Sequence, residues 1–176
     1  MSAGGTSRRT WGWHPLRPDW ARRVVAAAPV RPGDLVLDLG AGDGALTAPL
    51  VRAGARVLAI ELHPGRATAL RRRFEDDDVT VVEADLRDLR LPARPFRVVA
   101  SPPYGLSTAL VRTLLSSDRV RSADLVLQRA AVRRLVGQPP RGRHARRYRL
   151  DAGLRLPRHA FVPPPKVDSA VLQVRR

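Results

Sequence analysis

The sequence predicts a doubly wound α/β domain, with a seven-stranded, mostly parallel sheet covered by helices on both faces. Three observations carry this. Five short apolar runs of β-forming residues alternate with segments of helical spacing, the pattern of parallel strands joined by crossover helices. The first run ends in Gly40-Ala41-Gly42-Asp43-Gly44, where glycines let the backbone turn tightly between strand and helix. Two late runs, roughly 148–155 and 169–175, complete the sheet.

A basic arm is expected over residues 1–18 and the α/β domain over 19–176. Asp19 to Ala28 suits a helix with Trp20, Val24 and Val25 on one side. Leu35 to Leu39 is the first strand, Ala45 to Arg52 has helical spacing, and Gly54 closes that helix as a C-cap would. Arg56 to Ile60 is the second strand. Pro64 to Phe74 is the next helix, its proline in the first turn, where a missing N–H costs nothing. Val79 to Val82, Phe96 to Ala100 and Ala123 to Leu127 are strands three to five, with a helix from Leu106 to Leu115. Residues 137–147 read as a loop.

Hydrophobic residues make up 44% of the 176, enough for a core. The apolar runs are too short to span a bilayer, and no apolar segment follows Arg8 and Arg9 as a secretory signal requires. The absence of cysteine excludes disulfides and thiolate metal sites, and none of the four histidines has ligand spacing. The expectation is a cytoplasmic monomer with no metal and no membrane partner.

Charge is the strongest global signal. Lys and Arg total 32 against 16 Asp and Glu, a formal net charge of +16, and Lys166 is the only lysine. Arginine suits bidentate phosphate contacts and stacking on bases, although a GC-rich coding sequence gives the same bias. No acid lies between Asp124 and Asp151, whereas Arg129, Arg133, Arg134, Arg141, Arg143, Arg146, Arg147 and Arg149 all do. Acid-poor runs of this density fit a polyanion, and nucleic acid is the commonest. Arg8, Arg9, Arg133, Arg134, Arg141, Arg143, Arg146 and Arg147 are the candidate contacts.

In such a sheet, ligands sit beyond the carboxyl ends of the strands near the switch in strand order. Three features converge there. The glycine turn after Asp38 lets a ligand approach the backbone. Glu61 ends the second strand, where a carboxylate can accept from both hydroxyls of a ribose. Asp85 follows the third, where it can accept from an adenine amine with Leu86 against the ring. Alone, the glycine turn is a common connection and Glu61 equally a helix-start acid; together they describe a nucleoside pocket. The fourth strand ends in Ser101-Pro102-Pro103-Tyr104. Two prolines cannot donate to a ladder, so the strand stops at a rigid turn presenting a hydroxyl, free carbonyls and a ring. That is either a stiff loop or a holder for a flat, hydrogen-bonding ligand.

This combination is similar to the class I S-adenosylmethionine methyltransferases of Rossmann-like fold, and Ser-Pro-Pro-Tyr resembles the turn of those acting on exocyclic amines. With "DLGAGDGALT", "IELHP", "EADL" and "FVPPPKVDSAVL", nearly the whole chain resembles the Erm group of rRNA adenine-N6 methyltransferases and their relatives that dimethylate small-subunit rRNA. The resemblance implies that S-adenosyl-L-methionine is held by His14, Leu16, Asp38, Gly40, Gly42, Glu61, Leu62, Asp85, Leu86 and Ser101. It implies catalysis by Ser101, Pro102 and Tyr104 on one adenine of 23S rRNA, before full ribosome assembly. Resistance to macrolides, lincosamides and streptogramin B would follow. Alternatives are another rRNA or DNA amine, or an RNA-binding relative without turnover; an RNA binder alone has no need of Gly40, Glu61 and Asp85.

Three departures stand out. Ser101 replaces the family's usual Asn. Trp13-His14-Pro15-Leu16 replaces Gln-Asn-Phe-Leu, keeping only the leucine, so a structural role for His14 weighs equally with a cofactor contact. The chain ends four residues after Leu172, so no separate helical C-terminal domain is expected, as in the short actinobacterial branch with "WGWH".

Overall fold

The computed structural model describes residues 13–176; Arg8 and Arg9 lie outside them. The elements run α1 (Pro18–Ala27), β1 (Leu35–Leu39), α2 (Thr47–Arg52), β2 (Arg56–Glu61), α3 (Pro64–Arg73), β3 (Val79–Glu83), β4 (Phe96–Ala100), α4 (Ser107–Leu115), β5 (Val120–Gln128), α5 (Arg129–Gly137), β6 (Arg149–Leu156) and β7 (Ser169–Arg175). Pro18 and Pro64 open α1 and α3 at positions whose N–H has no helical partner.

The seven strands form one sheet in the order β3-β2-β1-β4-β5-β7-β6. β7 alone runs antiparallel to its two neighbours, so the sheet is mostly parallel, as expected. The order reverses between β1 and β4, which opens a crevice at their carboxyl ends. Strand periodicity divides the core. Leu37, Val98, Ala100, Leu125 and Leu127 face α4 and α5, whose Leu114, Leu115, Val132 and Leu135 are buried with them. Val36, Val57, Ala59, Val99 and Val126 lie on the other face, with Val24, Leu50 and Leu70 of α1, α2 and α3. Near-continuous apolar strands reflect burial on both faces.

Three sequence expectations need correction. Residues 129–137, for which the sequence predicts no helix, form α5; its inward stripe is only Ala131, Val132 and Leu135, and intervening arginines obscure the period. β5 begins at Val120, because Ser122 and Asp124 are buried polar residues inside the strand. The arm boundary drawn at residue 18 falls within the packed unit. Leu16 is buried in a bridge with Phe161, the Arg17 N–H donates to the Ala160 carbonyl (2.8 Å), and the Val162 N–H donates to the Pro15 carbonyl (3.0 Å).

Candidate active site

A cleft opens at the carboxyl ends of β1, β2 and β4, where sheets of this type bind their ligands. It brings together His14, Gly40, Glu61, Leu62, Asp85, Leu86, Ser101, Pro102 and Tyr104, with Trp13 and Arg66 as additional walls. Asp38 and Leu16 line an adjoining recess with Gly40 and Ser101. Gly42 underlies the cleft rather than lining it. Its φ is +60°, and an added Cβ would come within 2.6 Å of the Trp13 Nε1.

Gly40 sets the width. It has φ +76°, and a Cβ there would lie 3.3 Å from Pro103 Cδ and 3.6 Å from Pro102 Cα. A bare glycine therefore faces the proline turn across the gap, a cradle that any side chain would fill.

Glu61 is buried and accepts on both oxygens. Its Oε2 takes the Gly42 N–H (2.8 Å), and Oε1 takes the His63 N–H (2.9 Å) and Arg66 Nε (3.1 Å). The Arg66 guanidinium also lies 4.6 Å from the Trp13 ring centroid, so arginine and tryptophan form a clasp over this end. Asp85 caps the short turn Leu86–Asp88 and is bound by Arg87, Nη2 to Oδ2 at 2.6 Å. Hydrogen bonds from the Arg87 side chain and backbone hold its carboxyl down at about 2. It is ionised at neutral pH.

Asp38 is the reverse case. Its pKa is pushed up to about 7, first by burial and then by the charges of Glu61 and Asp43, against the Thr47 hydroxyl bonded to it at 2.7 Å. Below about pH 7 the folded protein thus keeps a proton that the unfolded chain, at 3.8, has released. The stability this group contributes is complete below pH 3.8 and is lost as pH rises towards 7. Relative to Asp38→Asn, the ligand-free protein should lose thermal stability between about pH 4 and 7, with no further change above. A melting-temperature difference constant over that range would contradict the assignment.

The proline turn is braced at its aromatic end. The Tyr104 hydroxyl bonds Ser169 Oγ (2.8 Å), and the His14 ring stacks on Tyr104 with centroids 6.2 Å apart. His14 Nδ1 lies 3.0 Å from the Pro163 carbonyl. His14 is thus both a cleft wall and a brace, joining the segment around Pro163 to Tyr104. Among the described residues, neither the Ser101 hydroxyl nor the Pro102 carbonyl has a hydrogen-bond partner. Two acceptors are free where the cleft ends.

The predicted RNA-binding arginines do not cluster. Arg133 lies on α5, and Arg134 donates to Thr108 Oγ1 of α4 (3.2 Å). The loop holding Arg141, Arg143, Arg146 and Arg147 folds under the end of α4. Its His144 N–H donates to the Leu115 carbonyl (3.0 Å), and its Tyr148 hydroxyl donates to the Ser117 carbonyl (2.7 Å). That is the amino-terminal edge of β5, opposite the cleft. Trp13 and Arg66 were missed as site residues; the tryptophan in "WGWH" was the only available signal, and nothing local marks Arg66.

A family model for ribosomal RNA adenine dimethylase matches residues 16–176. Ribosomal RNA small subunit methyltransferase A of Ralstonia nicotianae is 33% identical over 97% of this chain and 66% of its own length. The protein of the same name from Thermosynechococcus vestitus is 36% identical over 96% of the chain and 69% of its own. The chain thus spans about two thirds of these relatives. Among solved structures, the 23S rRNA methyltransferase ErmE superposes with a TM-score of 0.81 at 32% identity, covering 92% of this chain and 69% of ErmE. A dimethyladenosine transferase from Plasmodium falciparum gives 0.77 at 26%, covering 92% and 63%. The fold is the Rossmann-like methyltransferase fold.

Proposed function

The chain belongs to the ribosomal RNA adenine dimethylase family, and from that premise we propose that it methylates the N6 of an adenine in ribosomal RNA, using S-adenosyl-L-methionine. The observation carrying this is the pair of unpartnered acceptors, Ser101 hydroxyl and Pro102 carbonyl, beside Tyr104 in a cleft also lined by Gly40, Glu61 and Asp85. The cleft suits the cofactor: Glu61 for ribose hydroxyls, Asp85 and Leu86 for adenine, Asp38 and Gly40 for the remainder. The chemistry the cofactor supplies when bound is an electrophilic methyl group on a sulfonium.

The chain's own residues prepare the nucleophile. An exocyclic amine is a poor one because its lone pair is delocalised into the ring. Hydrogen bonds from its two hydrogens to Ser101 and Pro102 favour a pyramidal nitrogen and aim the lone pair into the cleft. Tyr104 offers the base a stacking surface, worth about 1–3 kcal/mol, and its bond to Ser169 fixes the ring.

Two target RNAs have specific support. The names of the curated relatives weigh towards small-subunit rRNA. The likeness to the 23S rRNA methyltransferase ErmE, the better superposed of the two solved structures above, supports large-subunit rRNA. The latter reading carries macrolide, lincosamide and streptogramin B resistance with it. Mapping the methylated adenine in each purified rRNA separates the two.

The serine at 101 predicts the product. A hydroxyl reaches less far than an asparagine amide, and a second transfer needs the methylated nitrogen reoriented with its one remaining hydrogen held. Monomethyladenine should dominate, Ser101→Asn should raise the dimethyl fraction, and Tyr104→Ala should lower both. Mass spectrometry of nucleosides reads the ratio; predominant dimethylation by the unaltered protein would refute the argument from Ser101.

A further inference from the structure

We propose that Arg129, Arg133 and Arg155 form a second anion site, which holds a phosphate of the RNA strand beside the adenine bound at the proline turn. The site is a cavity of about 220 Å³ between α5, β6 and β7, lined by the three arginines together with Val132, Gly153 and Ala170. The inference rests on the RNA reading above and adds where the strand is gripped.

Arg129 and Arg133 are one helical turn apart, so their side chains leave α5 on the same face, a like-charge pairing that by itself opposes the helix. Arg155 comes from β6, opposite Ala170 of β7. The register of these strands slips between Ala152 and Arg155, and Gly153 lies in the slip. Gly153 itself lines the cleft, and a Cβ there would come within 2.7 Å of Gln173 Nε2.

None of the three guanidinium groups bonds a carboxylate, carbonyl or hydroxyl among the described residues. Arginines elsewhere do find partners: Arg66 with Glu61, Arg97 with Asp34 and Arg175 with Asp124. The first turn of α5 has no acid either. Three cations lining one cleft, none of them ion-paired among the described residues, are matched by an external anion, and the arginine fork fits a phosphodiester.

Placement makes that anion part of the substrate. Arg129 directly follows the carboxyl end of β5, and Ala170 follows Ser169, the residue whose hydroxyl holds Tyr104. The cleft therefore opens on the same sheet edge as the proline turn. The loop arginines 141–147 lie at the opposite edge.

The test replaces Arg129, Arg133 and Arg155 together by Gln. A charge-matched reference replaces Arg52, Arg71 and Arg72, which lie on helices covering the other sheet face. Affinity for an rRNA fragment is measured against salt, cofactor affinity by calorimetry, and steady-state methylation in parallel. The first variant should bind RNA about tenfold more weakly, with the slope of log affinity on log salt reduced by about one to two. KM for RNA should rise, with kcat within about twofold and cofactor affinity unchanged; the reference should show a clearly smaller change in slope. Arg→Lys replacements should restore most of the slope.

Unchanged RNA affinity and slope would overturn the site, as would a reference variant that loses as much. Binding of inorganic phosphate lost by the variant with RNA affinity intact would mean a free-phosphate site, and would overturn it too. If the unaltered protein grips RNA through these arginines but transfers no methyl group, the methyltransferase reading falls and this site stands.

Discussion

Glu61→Ala should cost S-adenosylmethionine binding more than any other single change in the cleft. Each charge-assisted hydrogen bond to a ribose hydroxyl is worth on the order of 1.5–3 kcal/mol, or about ten- to a hundredfold in affinity. An ionised carboxylate has about four acceptor sites. Three are already taken, by Gly42, His63 and Arg66, and the open one is on Oε2. A second ribose contact therefore needs Arg66 to release Oε1 and the clasp with Trp13 to loosen. Alanine would also leave three donors facing a buried gap, so Glu61→Gln is the companion variant, keeping the shape while setting an amide against N–H donors. Calorimetry with S-adenosylhomocysteine, on variants shown by circular dichroism to be folded, should find both weakened. Unchanged affinity in folded Glu61→Gln would remove the proposed pocket. Asp85→Ala should cost less, because Asp85 already pairs with Arg87 at an accessible position.

Arg175→Ala should be the most damaging change to the fold. Asp124 lies in the middle of β5 with its side chain 1% exposed. Both its oxygens are met by Arg175 of β7, Nη2 to Oδ1 at 2.7 Å and Nη1 to Oδ2 at 3.0 Å. Burial pushes the Asp124 carboxyl up, and the bonds and charge of Arg175, with a smaller pull from the charge of Arg97, bring it back. Removing the arginine leaves a buried carboxylate without its hydrogen-bonded counter-charge, a loss of about 3–5 kcal/mol. The double variant Arg175→Leu with Asp124→Leu should recover most of it, since an apolar pair leaves no charge unmatched. Urea unfolding reads both. Equal stability of Arg175→Ala and the unaltered protein would mean that the pair contributes nothing to the strand junction.

The sheet was legible because parallel strands covered on both faces are continuous apolar runs, and Leu35 to Leu39 or Phe96 to Ala100 can be read without knowing their neighbours. The site was legible for a related reason: its residues follow strand ends, so locating the strands located Gly40, Glu61, Asp85 and Ser101. α5 was not, because an inward stripe of three residues sits among arginines whose charge reads first as a ligand surface. The pairing of Asp124 with Arg175 could not be read either, since it joins residues 51 apart through an antiparallel strand whose place in the order no local pattern specifies. The same limit explains the loop arginines. Their number suggests a polyanion, but only the fold shows that residues 141–147 and the proline turn lie at opposite edges of β5.

Nucleoside mass spectrometry on rRNA is the most direct test of the central claim. Purified protein would be incubated with small-subunit and large-subunit rRNA, separately, and with labelled S-adenosylmethionine. The account predicts label in N6-methyladenosine from one of the two RNAs, and less of it with Tyr104→Ala. Label on another base or on the ribose, or none on either RNA from a protein that binds the cofactor, would contradict it.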